Sequence, residues 1–224
     1  MERENIARFP RPVKNRIPNF VGAERAAARL AELPQFKSAR IVKVNPDSPQ
    51  RSVRFRVLKS ERILLMPTPR LREGFLAIDG AKLPASKAML ASSISGAYQL
   101  ARKMPLKQLP KPDLLVVGSV AVTREGLRIG KGEGYSEIEY GILRELNLVD
   151  ETTPIVTTVH DSQIVDKVPA EKHDLAVDVI VTPTQAFHAS TGRERPKGIY
   201  WDLVNNDMLE RMPILKELRG AKTA

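Results

Sequence analysis

Leu114-Leu115-Val116-Val117-Gly118-Ser119 is the stretch on which the reading of the fold turns. Four apolar residues without alternation, cut off by glycine and serine, fit a strand buried on both faces. Ile63-Leu64-Leu65-Met66, closed by Pro67-Thr68-Pro69, repeats the pattern. Ala39 to Val44, Pro154 to Val159 and Val177 to Val181 supply three more strands, the last ended by Thr182-Pro183. Between these strands lie helical stretches, Val21 to Leu33, Ser48 to Ser60, Ala85 to Arg102 and Gly134 to Leu146. Strands and helices that alternate, with several strands apolar throughout, predict an α/β fold whose mainly parallel sheet is covered on both faces.

Working outward, residues 1–20 are rich in Arg, Lys and Pro and read as a basic N-terminal arm. The body spans 21–204, and 205–224 forms a helical tail in which Asp207 to Leu218 is interrupted at Pro213. Pro34 ends the first helix. Asp47, in the turn Asn45-Pro46-Asp47, is placed to cap the next one. That helix turns Val53 and Val57 inward and Arg51, Arg54 and Lys59 outward. The helix from Ala85 breaks near Gly96, and Val120 to Gly130 folds back around Glu125-Gly126 as a hairpin.

Composition narrows the function classes. The 224 residues carry no cysteine, which excludes disulfides, thiolate metal sites and cysteine nucleophiles. The most apolar stretch, Leu114 to Val122, is far too short to span a bilayer, so no membrane partner is expected. Met1-Glu2-Arg3-Glu4 has no apolar run behind it, and a cytoplasmic location is the expectation. The net charge of +10 favours anionic partners.

The most informative chemistry lies in Gly130-Lys131-Gly132-Glu133-Gly134-Tyr135, at the mouth of a helix. Glycine permits positive φ and close approach of a ligand to the backbone. Successive amides can then face phosphate oxygens, helped by the partial positive charge of the helix start. Lys131 adds a full charge. The spacing matches neither a Walker loop nor the G-x-G-x-x-G dinucleotide pattern. On the residues alone, this is an anion site of unspecified ligand.

Gly130 to Glu137 resembles the ATP-binding motif of the 5-formyltetrahydrofolate cyclo-ligase (methenyltetrahydrofolate synthetase) family. A second family-like segment follows: Pro169, then His173-Asp174, then Val177-Asp178-Val179-Ile180-Val181-Thr182. Arg16-Ile17-Pro18-Asn19-Phe20, Val44-Asn45-Pro46-Asp47, Pro67-Thr68-Pro69-Arg70-Leu71 and Val159-His160-Asp161 look typical of the methenyltetrahydrofolate synthetase domain-containing branch. The resemblance spans roughly Val21 to Pro183. It implies a three-layer α/β/α fold of the ribose-5-phosphate isomerase and CoA-transferase type. It also implies a reaction in which ATP, with Mg²⁺, phosphorylates the formyl oxygen of 5-formyltetrahydrofolate. The neighbouring nitrogen then closes the ring, phosphate leaves, and the 5,10-methenyl form results. The partners implied are ATP and a reduced folate or pterin.

Carried over residue by residue, the resemblance assigns ATP binding to Gly130, Lys131, Gly132, Gly134 and Tyr135. Glu137 stands where the family has a metal-binding Asp, and Asp174 matches the second metal carboxylate. Arg70 and His160 follow strands in the sense that places ligands at carboxyl ends, and are candidates for contacting substrate. No catalytic residue is assigned. Two other function classes stay open. The basic residues of the arm and of the helices could track nucleic-acid phosphates, although no aromatic platform or zinc-finger signal accompanies them. Glu133, Ser136 and Glu137 depart from the family pattern, which suits a nucleotide-binding descendant without turnover.

Overall fold

The computed structural model describes residues 1–190 and 192–223, so the final residue of the expected 205–224 tail lies outside the described residues. The strands are β1 (Ile41–Val44), β2 (Ile63–Pro67), β3 (Phe75–Asp79), β4 (Arg102–Met104), β5 (Leu114–Val117), β6 (Ala121–Val122), β7 (Arg128–Ile129), β8 (Ile155–Thr158), β9 (Val179–Val181) and β10 (Ala186–His188). The helices are α1 (Ala23–Ala31), α2 (Pro34–Ser38), α3 (Arg51–Lys59), α4 (Ala88–Ala91), α5 (Ile94–Leu100), α6 (Tyr135–Glu145), α7 (Asn206–Arg211) and α8 (Pro213–Thr223).

Eight strands form one sheet in the order β10-β9-β8-β5-β1-β2-β3-β4. From β9 to β2 the pairing is parallel, and β10, β3 and β4 add antiparallel margins. The sheet is therefore mixed, with the expected parallel part at its centre. The pleat explains the continuous apolar runs. Leu114 and Val116 of β5 join a core with Leu30 of α1 and Val53 and Val57 of α3. Leu115 and Val117, pointing the other way, join Ile142 of α6 and Leu215 and Leu218 of α8. The fold is thus three-layered, with α1–α5 on one face and α6–α8 on the other.

Several local expectations are corrected. Pro34 also opens α2, where its missing N–H costs nothing at the first helical position. Asp47 makes no capping hydrogen bond. Arg54, expected outward, is 1% exposed. The break before α5 falls at Ser92-Ser93, where the Ser93 hydroxyl accepts the Gly96 N–H at 3.0 Å. The strands β3, β4 and β10 were not foreseen. The C-terminal segment forms two helices that break before Pro213. Met212, Ile214, Leu215 and Leu218 are buried against α6 and the sheet, at about 1.5–3 kcal/mol each, which is ample to dock them.

The central strand β1 is flanked by β2 on one side and β5 on the other. The chain winds away from β1 in both directions, so a crevice opens outside the carboxyl ends of β1 and β5. Ligands bind at such points in open α/β sheets.

Candidate functional site

A cleft of about 740 Å³ occupies that crevice. Its walls come from the turn after β1 (45–48), the end of β2 (69–70), the loop into α6 (129–137), the segment 169–174 and part of the arm (15–17). The arm is held in place because Ile17 and Phe20 are buried and Ala7 bridges to Phe20.

The loop into α6 is open backbone. Gly132 and Gly134 have φ of +82° and +69°, and a Cβ on either would meet nothing within 4 Å. These values favour glycine conformationally while leaving the space above the loop free. Among the described residues, no peptide N–H from Lys131 to Glu137 donates to a protein acceptor. The eleven-residue α6 begins here with Gly134 as its N-cap, so its dipole reinforces the same spot. Lys131 meets Glu133 at 3.0 Å and lies 5.8 Å from the centre of the Tyr135 ring. The acidic residue inside the loop therefore has its cation beside it.

Two carboxylates, Glu137 at the end of this loop and Asp174, line the same cleft. Glu137 is bound by Arg128 at 2.8 Å, and Arg128 also reaches the Gly118 carbonyl at 3.3 Å. Asp174 accepts the Glu171 N–H at 2.6 Å.

The floor is a buried polar cluster that the sequence reading missed. Val42 and Val44 point to the other core, so Lys43 between them faces α6, where it pairs with Glu139. Lys43 also donates to Asn45 at 2.5 Å, and the Asn45 amide donates to Ser136 at 3.0 Å. Burial pushes the Glu139 pKa up, and the Lys43 ammonium pulls it back. Beneath the turn after β1, Arg54 donates to the carbonyls of Asn45 (2.6 Å), Asp47 (3.0 Å) and Ser92 (2.8 Å). Burial depresses its pKa to about 9. Asp47 is half-buried in the cleft wall, and no described residue donates a hydrogen bond to its carboxylate. Burial raises its pKa, against the pull of Lys131, Arg54, Lys43 and Arg128. The sequence held a signal for this cluster: a lysine amid the apolar residues of β1, and a glutamate on the inward face of α6.

The structure brings Gly130, Lys131, Gly132, Gly134, Tyr135, Glu137, Asp174 and Arg70 to one cleft. Arg70 and Leu71 are consecutive non-glycine residues at φ of +59° and +52°, a strain of roughly 1–2 kcal/mol each. The complete burial of Leu71 offsets it and leaves Arg70 exposed at the rim. His160 does not join the cleft lining. Its Nδ1 accepts the Ser162 N–H at 3.1 Å, and its ring packs edge-on to Phe20 at 6.1 Å. The strand end was read correctly, but this side chain turns back to cap the next turn.

Residues 2–183 match the model of the 5-formyltetrahydrofolate cyclo-ligase family. A methenyltetrahydrofolate synthase domain-containing protein of Bos taurus is 47% identical over 98% of this chain and 59% of its own length. Its counterpart in Mus musculus is also 47% identical, over 98% and 60%. The chain thus spans about three-fifths of the length of these relatives. A 5,10-methenyltetrahydrofolate synthetase of Aquifex aeolicus shares the fold, with a TM-score of 0.52 at 20% identity, over 82% of this chain and 88% of that one. On that family match and on relatives 47% identical over nearly its whole length, the chain belongs to the 5-formyltetrahydrofolate cyclo-ligase family.

Proposed function

We propose that the cleft binds ATP with Mg²⁺ and that the protein is a ligase closing 5-formyltetrahydrofolate, or a related reduced pterin, to its 5,10-methenyl form. The observation that carries this reading is the row of unengaged amides from Lys131 to Glu137, opening on the start of α6 beneath free space. Such amides, preorganised and aided by a helix dipole, suit a polyphosphate. Gly130, Lys131, Gly132, Gly134 and Tyr135 would hold it. Family membership supports the choice of ATP over other polyanions.

Magnesium suits the donors available. It is usually held by one or two carboxylates together with substrate phosphates. Glu137 and Asp174 each keep one carboxylate oxygen free of protein hydrogen bonds, and among the described residues no cluster of three acidic or histidine ligands competes for the ion. Bound there, Mg²⁺ would neutralise phosphate charge and fix its orientation. Arg128 anchors Glu137 in position. Arg70 and Arg16, both exposed at the cleft rim, would attract anionic parts of the substrates. Asp47, with no protein donor, would accept N–H groups of the pterin ring. The protein's work is positioning and charge neutralisation, which is what transfer of a phosphoryl group demands.

The test is phosphate release from Mg·ATP by the purified chain. Release that requires 5-formyltetrahydrofolate is expected. Thermal stabilisation by Mg·ATP with no release under any folate would identify a nucleotide-binding protein without turnover. No stabilisation at millimolar nucleotide would end the nucleotide reading altogether.

A further inference from the structure

The outer surface formed by α3, α4 and α5 combines two properties that the proposed reaction does not use. The first is exposed apolar side chain. Met89 is 54% and Leu90 45% exposed on α4, and Ile94 and Tyr98 of α5 are exposed beside them. Of these four, Ile94 lines the cleft and the other three do not. The second is charge of one sign. α3, α4 and α5 contain no acidic residue. From Gly80 to Pro112 the chain has none either, while Lys82, Lys87, Arg102, Lys103, Lys107 and Lys111 fall in that stretch.

The apolar residues stand at a corner. The short helices α4 and α5 meet at Ser92-Ser93, with Leu90 just before the junction, Ile94 just after it and Tyr98 one turn further on. Ala88, Ala91 and Ala97 face the core, so the small residues point inward and the large apolar ones outward. That reverses the usual pattern of a surface helix, whose large apolar side chains face the core. The corner is firmly held. The Ser92 hydroxyl donates to the Met89 carbonyl at 2.8 Å, and the Ser93 hydroxyl to the Leu90 carbonyl at 2.7 Å. Gly96 permits the close approach, because a Cβ there would clash with the Leu90 carbonyl. Arg54 of α3 ties the junction down through the Ser92 carbonyl.

Cations flank this corner. Lys87 directly precedes α4, is exposed and has no side-chain partner among the described residues. Arg51, also exposed, lies one turn before Arg54 on the side of α3 that reaches the junction. Lys103 stands opposite Leu76, which is buried in the core under α5, so it projects from the same face of the sheet. There it is paired with Glu73 at 3.6 Å.

We infer that this corner is a docking surface for an anionic lipid bilayer, with Met89, Leu90 and Ile94 entering the boundary between headgroups and acyl chains. The flanking cations meet lipid phosphates and carboxylates. Interfacial contact draws on buried apolar area together with attraction to anionic lipid, and this surface offers both. Tyr98, an apolar ring with a polar tip, suits the headgroup level. Lysine stems can extend past the apolar residues and keep their charge among the headgroups. Other occupants fit less well. A second copy of this chain, at a net charge of +10, would set like charge against like. Nucleic acid would meet aliphatic side chains where it needs stacking rings. An acidic protein helix needs a groove to lie in, whereas these side chains stand at an outer corner. The expectation of no membrane partner comes from span length, which bears on crossing a bilayer and not on touching its surface. The inference is independent of the nucleotide reading.

The test is co-sedimentation of the chain, at low salt, with vesicles of phosphatidylcholine alone and of equal parts phosphatidylcholine and phosphatidylserine. Binding to the mixed vesicles only is expected, falling as salt is raised. Met89→Ser combined with Leu90→Ser should weaken it about tenfold or more at an unchanged melting temperature. Lys87→Glu should weaken it about fivefold or more. Leu90→Trp reads insertion directly. Its emission should shift to the blue with mixed vesicles and be quenched by brominated acyl chains, while the native Trp201, on the opposite face of the sheet, should show neither change. Should the double variant fail to fold, Leu90→Trp decides. No binding to mixed vesicles, or an unshifted Leu90→Trp emission, would overturn the inference. So would binding that the double variant leaves intact, since net charge alone would then account for it. Binding of an oligoglutamate peptide or of RNA with the same dependence on Met89 and Leu90 would overturn it in favour of a soluble partner.

Discussion

Lys43 meets Glu139 with side chains 2% and 4% exposed, whereas Lys131 meets Glu133 with side chains 32% and 38% exposed. Both pairs join a lysine to a glutamate, and both border the start of α6. In the floor of the cleft both side chains have lost their water, and each has the other as partner, with Asn45 Oδ1 accepting a further hydrogen bond from Lys43. At the rim, solvent screens the pair, and Lys131 can exchange its glutamate for another anion at little cost. The same side-chain chemistry therefore braces the structure in one place and leaves a cation available in the other. Burial makes the difference, because desolvation costs several kcal/mol per ion in the interior and almost nothing at the surface.

That contrast can be broken most forcefully at the floor. Lys43→Met should destabilise the chain by about 3–5 kcal/mol in urea unfolding, since it strands Glu139. Adding Glu139→Met should restore most of the loss; a single variant that costs under about 1 kcal/mol would show that the pair is not desolvated. At the rim, Gly132→Val forces a β-branched residue to φ of +82°, costing about 1–2 kcal/mol of stability. It should also abolish stabilisation by Mg·ATP, which for the wild type at a hundredfold excess over Kd is about 2.7 kcal/mol in differential scanning calorimetry.

Asp47 lies between the two regions. Its pKa is raised by burial above the ordinary value near 4, so folding penalises its charged form. The stability it contributes is complete below that value and is lost as pH rises through the folded-state pKa. Asp47→Asn should therefore melt higher than the wild type at pH 7, with the gap closing below about pH 4; a lower melting temperature at neutral pH would contradict the desolvation argument. The smallest change belongs to the exposed pair. Glu133→Ala should shift stability by less than about 1 kcal/mol and tighten Mg·ATP, because Lys131 loses its internal competitor. Unaltered nucleotide affinity in a titration would mean that Lys131 does not face the phosphates.

The centre of the sheet was legible for a simple reason. β2, β5 and β9 are covered on both faces, so they are apolar at every position regardless of which way each side chain points, and β8, equally buried, adds only threonines to its apolar residues. β4 and β10 lie at the margins, are three residues long and are partly exposed, so Arg102, Lys103 and His188 do not read as strand. The five-residue β3 was missed too, because its antiparallel run follows a strand that already looked complete. Arg54 was read outward from helical spacing, but the carbonyls of the turn after β1 need donors and draw it inside. The glycine loop could be found because its requirement is local: positive φ and bare backbone ahead of a helix are properties of adjacent residues.

By itself, the sequence determined which segments form the buried central strands, where the loop opens and which motif aligns the chain with its family. Only the tertiary structure decided that Lys43 and Glu139, ninety-six residues apart, share the cleft floor. It also decided that His160 caps a turn and that the C-terminal segment is buried against α6 and the sheet. The physical reason is range. Backbone preference and periodicity act over a few neighbours, whereas the partner of a buried charge is chosen by strand order and helix placement, which no local stretch encodes.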